Sequence, residues 1–332
     1  MPIPQGKGIH LARANERASA WLGAGSTPLK TPKILVVLGP TSTGKSDFAV
    51  DLALRLRSGQ AKKYGYKGGE IISADSRQVY KGLNLGTGKI TKREMRSVPH
   101  HLLDVASANR VFTASDYARL AKRAILKIAE KGKLPIICGG TGFYIAAALE
   151  KQSLAPVPPN TKLRKELSRK SAEELFAILQ KIDPERAQTI DAKNPHRLIR
   201  AIEIAEAIGK SPARDREEEY DALKIGLNFP LETLKKRIDL RLKKRLRLGL
   251  IKEVEHLHEK GLSFKRMETL GLEYRYISRF LRGILTGKQM EEELSREIFK
   301  FAKRQNTWFK KDKSIHWVKN IKEAKILIKK FL

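Results

Sequence analysis

The chain has 332 residues, enough for one large α/β domain with an inserted or appended unit, and its apolar content of 41% supports a folded core. Its single cysteine, Cys138, excludes a disulfide framework and a cysteine-based zinc site and fits a reducing compartment such as the cytoplasm, and no apolar run approaches the ~20 residues of a membrane span. The formal net charge of +31 indicates a polyanionic partner, nucleic acid first and an anionic membrane surface second, with a merely solvated lysine-rich surface as the plainer alternative.

Residues 1–32 read as a loose basic arm. They contain one acid, Glu16, among several basic residues, glycines and prolines. We expect a disordered arm, with a transit peptide or a misplaced start codon as alternatives, because the segment lacks the continuous apolar stretch of a secretory signal.

The first ordered elements enclose a phosphate-loop motif. An apolar, β-branched run at residues 34–38 predicts a strand, and the apolar spacing after residue 46 predicts a helix. The sequence between them fits G-x-x-x-x-G-K-[ST], whose backbone N–H groups form an anion nest at the start of a helix. A lysine adds charge and a serine hydroxyl can bind Mg²⁺. We predict that a phosphate chain binds Gly39, Thr41, Ser42, Thr43, Gly44, Lys45 and Ser46, and that Ser46 is the metal ligand.

Strand and helix patterns then alternate. A short strand at residues 70–74 ends in Asp75, a helix is predicted over residues 114–130, and a buried strand at residues 134–138 is followed by Gly139, Gly140 and Thr141. This order predicts an α/β fold with a P-loop NTPase-like parallel sheet and helices on both faces. Ligands of such sheets bind beyond the carboxyl ends of the strands, where Asp75 and Thr141 both fall.

The pattern changes after a proline-rich break near residue 156. Residues 162–212 read as helices only, residues 223–229 return to a strand, and a long basic helix begins after Pro230. Most of the remainder is predicted to be helical, with a last strand near residues 314–318 and a short terminal helix. We therefore divide the chain into the arm at 1–32, a first part of the core at 33–155, a helical insertion at 156–220, and the rest of the core with basic helices at 221–332.

Two side-chain patterns leave alternatives open. A nucleotide-hydrolysing P-loop enzyme usually has an apolar strand that ends in a metal-binding aspartate, and no clear one is present here. Asp75 can serve as a general base or only as a cap for the next turn. Arg237, Arg241 and Arg245 recur every four residues on one helix face, which can bind diphosphate, follow an RNA backbone or simply face solvent. The adjacent His100 and His101 make a poor metal pair and are interpreted as structural or substrate-lining.

The order of these motifs resembles the tRNA dimethylallyltransferase family, also called tRNA isopentenyltransferases, over nearly the whole chain after Lys33. The resemblance rests on seven segments in the family's order: the phosphate loop, Ser73–Gly82 with Leu85–Gly88, Pro99–Asp104, Gly139–Tyr144, Asn194–Glu203, Arg237–Arg241 and Lys303–Phe309.

The resemblance implies a prenyl transfer. Such enzymes move a dimethylallyl group from dimethylallyl diphosphate to N6 of the adenosine next to the anticodon on its 3′ side, so that the loop binds a leaving diphosphate with Mg²⁺. It implies catalytic roles for Asp75, Thr141 and Arg241. It also implies that the helical insertion and basic helices hold the anticodon stem-loop, with tRNA contacts from Ser76, Gln78, Arg197, Arg237, Arg245, Lys303, Arg304 and Gln305. We expect a monomer that acts away from membranes.

The chain departs from the family pattern at a few positions. Arg77 and Arg245 stand where relatives usually carry methionine, and the Gly-Tyr-Lys/Arg-Glu motif appears as Gly271-Leu272-Glu273-Tyr274. Three alternatives remain: an adenylate isopentenyltransferase that modifies free AMP, ADP or ATP, an RNA-binding P-loop kinase or NTPase, and a non-catalytic RNA-binding module. The insertion, the segment at 303–309 and the charge of +31 favour tRNA as acceptor.

Overall fold

Six parallel strands form one sheet in the computed structural model, which describes residues 31–57, 65–151, 154–155, 157–211 and 217–332. Their order across the sheet is β3-β2-β4-β1-β5-β6, and every neighbouring pair is parallel. The strands are β1 (Lys33–Leu38), β2 (Gly69–Ser73), β3 (His100–His101), β4 (Leu134–Gly139), β5 (Asp221–Leu227) and β6 (His316–Val318). The predicted α/β fold with a parallel sheet is confirmed.

Helices cover both faces of this sheet. The fourteen helices of the described residues are α1 (Lys45–Arg57), α2 (Lys92–Met95), α3 (Ala114–Glu130), α4 (Gly142–Leu149), α5 (Thr161–Leu167), α6 (Ala172–Ile182), α7 (Pro184–Thr189), α8 (Pro195–Ile208), α9 (Leu231–Arg247), α10 (Leu250–Glu259), α11 (Phe264–Leu270), α12 (Leu272–Leu281), α13 (Gly287–Phe309) and α14 (Ile321–Phe331). None of them is long and apolar enough to cross a membrane.

Strand β1 shows how the sheet separates two cores. Leu35 and Val37 pack with α1 and α14, whereas Ile34, Val36 and Leu38 pack with α3, α4 and the helices that follow β5. Because successive side chains of a strand point to opposite faces, a strand that is buried on both faces must be apolar throughout. This is why residues 34–38 read as one continuous apolar run.

Helices α5 to α8 have an apolar cluster of their own, built around Leu175, Leu179, Leu198 and Ile202. A buried carboxylate, Glu203, ties α5 to α8. It accepts hydrogen bonds from Arg164 Nε at 2.9 Å and Nη2 at 2.8 Å, and from Arg200 Nη1 at 2.5 Å. The helices predicted between residues 162 and 212 are present, while the division of the chain into units at 33–155, 156–220 and 221–332 stays a prediction. The predicted arm at 1–32 lies outside the described residues except for its last two.

The outer edge of the sheet differs from expectation. Strand β3 has only two residues, too few for a periodic pattern, and was not predicted. His101 Nε2 lies 2.7 Å from Glu70 Oε2, and His100 Nδ1 lies 2.8 Å from the carbonyl oxygen of Val98. Both histidines therefore have structural partners at this edge, in agreement with the structural interpretation of the pair.

Removing the Glu203 carboxylate should weaken the protein in a pH-dependent way. Burial raises the pKa of Glu203, but hydrogen bonds from Arg164 and Arg200 outweigh it and lower the pKa to about 2. A carboxyl whose pKa falls on folding stabilises the protein above its unfolded pKa near 4.5, and that stability is lost as the pH falls toward 2. We expect Glu203→Ala to lower the free energy of unfolding by about 2 kcal/mol at pH 7, less than for a fully buried pair because both arginines are partly exposed.

Urea unfolding between pH 7 and pH 3 measures this effect, with Glu206→Ala, an exposed carboxylate on the same helix, as the control. The difference in the free energy of unfolding between Glu203→Ala and the unchanged protein should decrease below pH 4.5. A difference that stays constant down to pH 3 would contradict the lowered pKa of Glu203.

Candidate active site

The phosphate loop lies at the carboxyl end of β1, where the strand order reverses, and its backbone is sharply bent. Gly39, Ser42 and Gly44 have φ angles of 147°, 63° and 82°, which place them in the region that favours glycine. A Cβ on Gly39 would lie 2.2 Å from the carbonyl oxygen of Leu227 in β5, so that only glycine fits there. Thr43 Oγ1 donates to the carbonyl oxygen of Pro40 at 2.9 Å and closes the loop. The loop thus has the form of an anion nest at the start of α1.

Lys45 lies within the loop with its Nζ atom 2.5 Å from the carbonyl oxygen of Pro40. Burial, together with the positive charge of Arg241, lowers the pKa of Lys45 to about 8, against the raising effects of Cys138 and Asp75. The ammonium is therefore still mostly charged at neutral pH, but its charge is poorly compensated by the protein. An anionic ligand in the loop would supply the missing compensation.

Helix α9 brings two arginines over the loop. Arg237 Nε donates to the carbonyl oxygen of Ser42 at 2.7 Å, and Arg241 Nη1 lies 3.4 Å from Thr41 Oγ1. Burial lowers the pKa of Arg241 to about 10, with a second contribution from Arg245, so that its guanidinium remains charged. The loop and α9 together form a cationic cradle.

The strand tips of β2 and β4 form the second half of the site. Asp75 Oδ1 accepts hydrogen bonds from the backbone N–H groups of Arg77 at 2.8 Å and Gln78 at 3.3 Å. Thr141 Oγ1 accepts a hydrogen bond from the N–H of Ser76 at 3.1 Å. Asp75 Oδ2 accepts no hydrogen bond from the described residues. One carboxylate oxygen therefore caps the turn, as the simpler hypothesis required, and the other remains available for chemistry.

Close backbone packing holds the two strand tips together. A Cβ on Gly139 would lie 2.1 Å from the carbonyl oxygen of Ala74, and the N–H of Thr141 donates to that oxygen at 3.1 Å. The charge of Asp75 raises the pKa values of both Lys45 and Arg241, as expected for a carboxylate near the cradle. The three predicted catalytic residues, Asp75, Thr141 and Arg241, thus meet beside the phosphate loop.

Six of the eight residues predicted to contact nucleic acid are exposed or half-buried. Arg197, Lys303 and Arg304 are exposed, and Ser76 and Gln78 are half-buried beside Asp75. Arg237, although exposed, is engaged with the loop at Ser42. The exposed residues are not packed in the core, and their contact with nucleic acid stays a prediction.

Arg245 and Gln305 differ from the prediction, because both are buried. Arg245 Nη1 pairs with Glu273 Oε1 at 2.7 Å, beneath Arg241. Gln305 accepts a hydrogen bond from the N–H of Thr41 at 2.9 Å and donates to the carbonyl oxygen of Gly140 at 2.8 Å, so that it bridges the phosphate loop to the tip of β4. We correct both assignments: these side chains support the site from inside and do not form a nucleic-acid surface.

Sequence reasoning missed the partners of these residues. Glu273 compensates Arg245 across 28 positions of sequence and had no local signal. The departure from the family motif at Glu273 and the extra arginine at position 245 were both visible, and pairing the two unusual charges would have found the contact.

Known proteins of one family match most of this chain. The family model for IPP transferase matches residues 78–312. A Treponema denticola protein named tRNA dimethylallyltransferase 2 is 43% identical over 296 residues, covering 86% of this chain and 95% of its own length.

Two solved structures are similar to the chain. The tRNA isopentenylpyrophosphate transferase of Bacillus halodurans superposes with a TM-score of 0.67 at 33% identity, covering 90% of this chain and 96% of that one. A eukaryotic dimethylallyltransferase acting on tRNA has a TM-score of 0.71 at 24% identity, covering 84% and 70% of the two chains, and shows the shared fold. The chain therefore belongs to the IPP transferase family.

Proposed function

We propose that this chain transfers a dimethylallyl group from dimethylallyl diphosphate to N6 of the tRNA adenosine next to the anticodon on its 3′ side, releasing diphosphate. The observation that carries the proposal is the pairing of a cationic phosphate cradle with a carboxylate, Asp75, that has one free oxygen. A cradle for a leaving diphosphate and a base for the acceptor are the two parts that this substitution needs.

The cradle would stabilise the departing diphosphate. The allylic C–O bond breaks and its electron pair stays on the diphosphate, which gains negative charge. The loop N–H groups, Lys45 and Arg241 are fixed around that position before the reaction begins. Donors that are already oriented stabilise developing charge more than mobile water does.

The acceptor side would use Asp75. As N6 of adenine forms a bond to the allylic carbon, it must lose a proton, and the Asp75 Oδ2 atom can accept it. Thr141, which is held against Ser76, would line the chamber and orient the adenine. The target base must leave its stack to reach both groups.

The residues at the loop also suit Mg²⁺. Ser46 is exposed at the first turn of α1, and its hydroxyl makes no hydrogen bond to the described residues. Among the residues that the structure describes, no group of three or more His, Cys, Asp or Glu side chains could hold a metal ion. This donor set suits a cation that keeps several waters and is held mainly by substrate phosphates, as Mg²⁺ usually is. Mg²⁺ bound by Ser46 and the diphosphate would neutralise charge on the leaving group.

Surface charge supports tRNA as acceptor. Lys303 and Arg304 lie exposed on α13, the helix whose Gln305 reaches the loop, and Arg197 lies exposed on α8. These positions and the net charge of +31 would hold the phosphates of an anticodon stem-loop. We propose that the helices α5 to α8 share this contact and that the chain acts as a monomer.

A ligand test addresses the cradle. Dimethylallyl diphosphate with Mg²⁺ should raise the melting temperature more than ATP with Mg²⁺ does, because a ligand stabilises the state to which it binds. Lys45→Ala should reduce this shift, whereas Lys322→Ala, at an exposed lysine of α14, should leave it unchanged. Thermal melts measure the effect. Rapid ATP hydrolysis without prenyl transfer would argue for a P-loop NTPase.

The proposed role of Asp75 as a general base can be tested separately from its capping of the turn. Asp75→Asn keeps an Oδ1 acceptor for the N–H groups of Arg77 and Gln78, whereas Asp75→Ala loses both the turn and the base. If Asp75 is the base, both variants should lose turnover by about 10²-fold or more while stem-loop affinity stays the same for Asp75→Asn. Single-turnover assays decide. Near-normal turnover of Asp75→Asn would leave only the capping role.

The acceptor is tested directly with an unmodified anticodon stem-loop and AMP. Labelled dimethylallyl diphosphate should yield isopentenyladenosine in the stem-loop, and stem-loop affinity should fall with salt, by a log–log slope of roughly 0.7 to 0.9 per phosphate contact. The double variant Lys303→Ala, Arg304→Ala should make this slope less steep. The control double variant Lys329→Ala, Lys330→Ala, at two exposed lysines, should leave the slope unchanged. Equal prenylation of AMP, with little salt effect, would favour the free-nucleotide alternative.

A further inference from the structure

The loop at residues 84–88 forms the wall against which Arg241 rests. Arg241 Nη2 lies 3.3 Å from the carbonyl oxygen of Gly88, and Gln78 Nε2 donates to the same oxygen at 3.4 Å. A Cβ on Gly88, whose φ is 58°, would lie 2.1 Å from Arg241 Nη2. The guanidinium and the loop backbone are therefore in direct contact, and a shift of the loop would move Arg241.

A single carboxylate holds the other side of this loop. Glu253, on α10, accepts hydrogen bonds at Oε2 from the N–H groups of Asn84 at 3.2 Å and Leu85 at 2.7 Å. Its Oε1 accepts from the N–H of Gly86 at 3.0 Å and from the Tyr274 hydroxyl at 2.8 Å. Three consecutive N–H groups around one carboxylate form an anion nest, filled here by a side chain of the same molecule.

Neighbouring side chains pack closely against the loop at residues 84–88. A Cβ on Gly86 would lie 2.4 Å from Cζ of Tyr274, and Arg245 Nη1 reaches the carbonyl oxygen of Gly86 at 3.3 Å. Burial raises the pKa of Tyr274, and the charge of Glu253 raises it further, so that the hydroxyl remains a donor. The chain of contacts runs from Glu253 through the loop backbone to Arg241.

We propose that Glu253 is a positioning residue for the diphosphate half of the site: by fixing the loop at 84–88 it sets the orientation of Arg241. It touches no substrate and acts through the backbone N–H groups of the loop, with the Tyr274 hydroxyl as a further donor. The proposal rests on the proposed function, in which Arg241 binds the leaving diphosphate. Its expected signature is a loss of diphosphate affinity without a loss of stem-loop affinity.

Glu253→Gln tests the proposal with little change in shape. In glutamine an NH₂ group replaces one of the two carboxylate oxygens, and this group cannot accept a hydrogen bond. Either the two N–H groups at Oε2 or the N–H and hydroxyl at Oε1 therefore lose their acceptor. We expect pyrophosphate with Mg²⁺ to bind about tenfold more weakly and KM for dimethylallyl diphosphate to rise similarly. Stem-loop affinity should stay unchanged. The control, Glu255→Gln, replaces an exposed carboxylate on the same helix and should match the unchanged protein.

Tyr274→Phe is the second variant, because it removes one donor and keeps the carboxylate in place. It should weaken pyrophosphate binding by a smaller factor than Glu253→Gln does. This test does not require Glu253→Gln to fold. A double-mutant cycle then separates positioning from general support: in an Arg241→Ala background, the change at Tyr274 or Glu253 should cost no further pyrophosphate affinity.

Three results would overturn the proposal. In the first, the losses of pyrophosphate affinity from the two changes in the double-mutant cycle simply add. In the second, the Glu253 and Tyr274 variants bind pyrophosphate normally, and in the third, Arg241→Ala binds it as tightly as the unchanged protein. Failure of the proposed function looks different. In that case the unchanged protein would transfer no prenyl group to the stem-loop, while pyrophosphate binding would still report on Glu253 and Arg241.

Discussion

Repulsion among cations around one phosphate loop is the constraint on which the site depends. Lys45, Arg237, Arg241 and Arg245 all converge on the loop or lie directly behind it, and burial strengthens the repulsion of Arg241 with Lys45 and Arg245. Glu273 pairs with Arg245, whereas Lys45, Arg237 and Arg241 contact the carbonyl groups of Pro40, Ser42 and Gly88, which are dipoles and not full charges. A diphosphate would supply the full charges that are missing. The cradle therefore has the charge that the proposed binding of a diphosphate needs.

The carboxylate opposite the cradle is arranged for a different task. Asp75 is close enough to interact with Lys45 and Arg241, yet its hydrogen bonds come from the backbone of its own turn. A carboxylate bound by either cation would be a poor base, because a hydrogen-bonded ion pair holds the charged form. Anchoring through backbone N–H groups keeps one oxygen directed and the other open. In the proposed reaction, this geometry would separate the group that receives a proton from the groups that bind the diphosphate.

Local pattern predicted most of the fold, and long-range partners account for what it missed. Helix α3 begins and ends at the predicted residues, Ala114 and Glu130, because its capping box of Thr113 and Asp116 is local. Spacing also placed Arg241 correctly on the face of α9 that meets the loop. The same spacing assigned Arg245 to a surface, because a helix repeat specifies a face but not where that face passes under another helix. Gln305 was misplaced for the same reason: its partners, Thr41 and Gly140, lie more than 160 positions away.

The ion pair behind the cradle balances two charges that would each be costly alone. Arg245 and Glu273 carry formal charges of opposite sign. Arg245 alone would place a further positive charge beside Arg241, and Glu273 alone would leave a buried carboxylate without a partner, each of which is costly. Together they form an ion pair at 2.7 Å, and Tyr274 is left free to donate to Glu253. The pair therefore adds no net charge behind Arg241, and it leaves the cations that face the phosphate loop unpaired by Glu273.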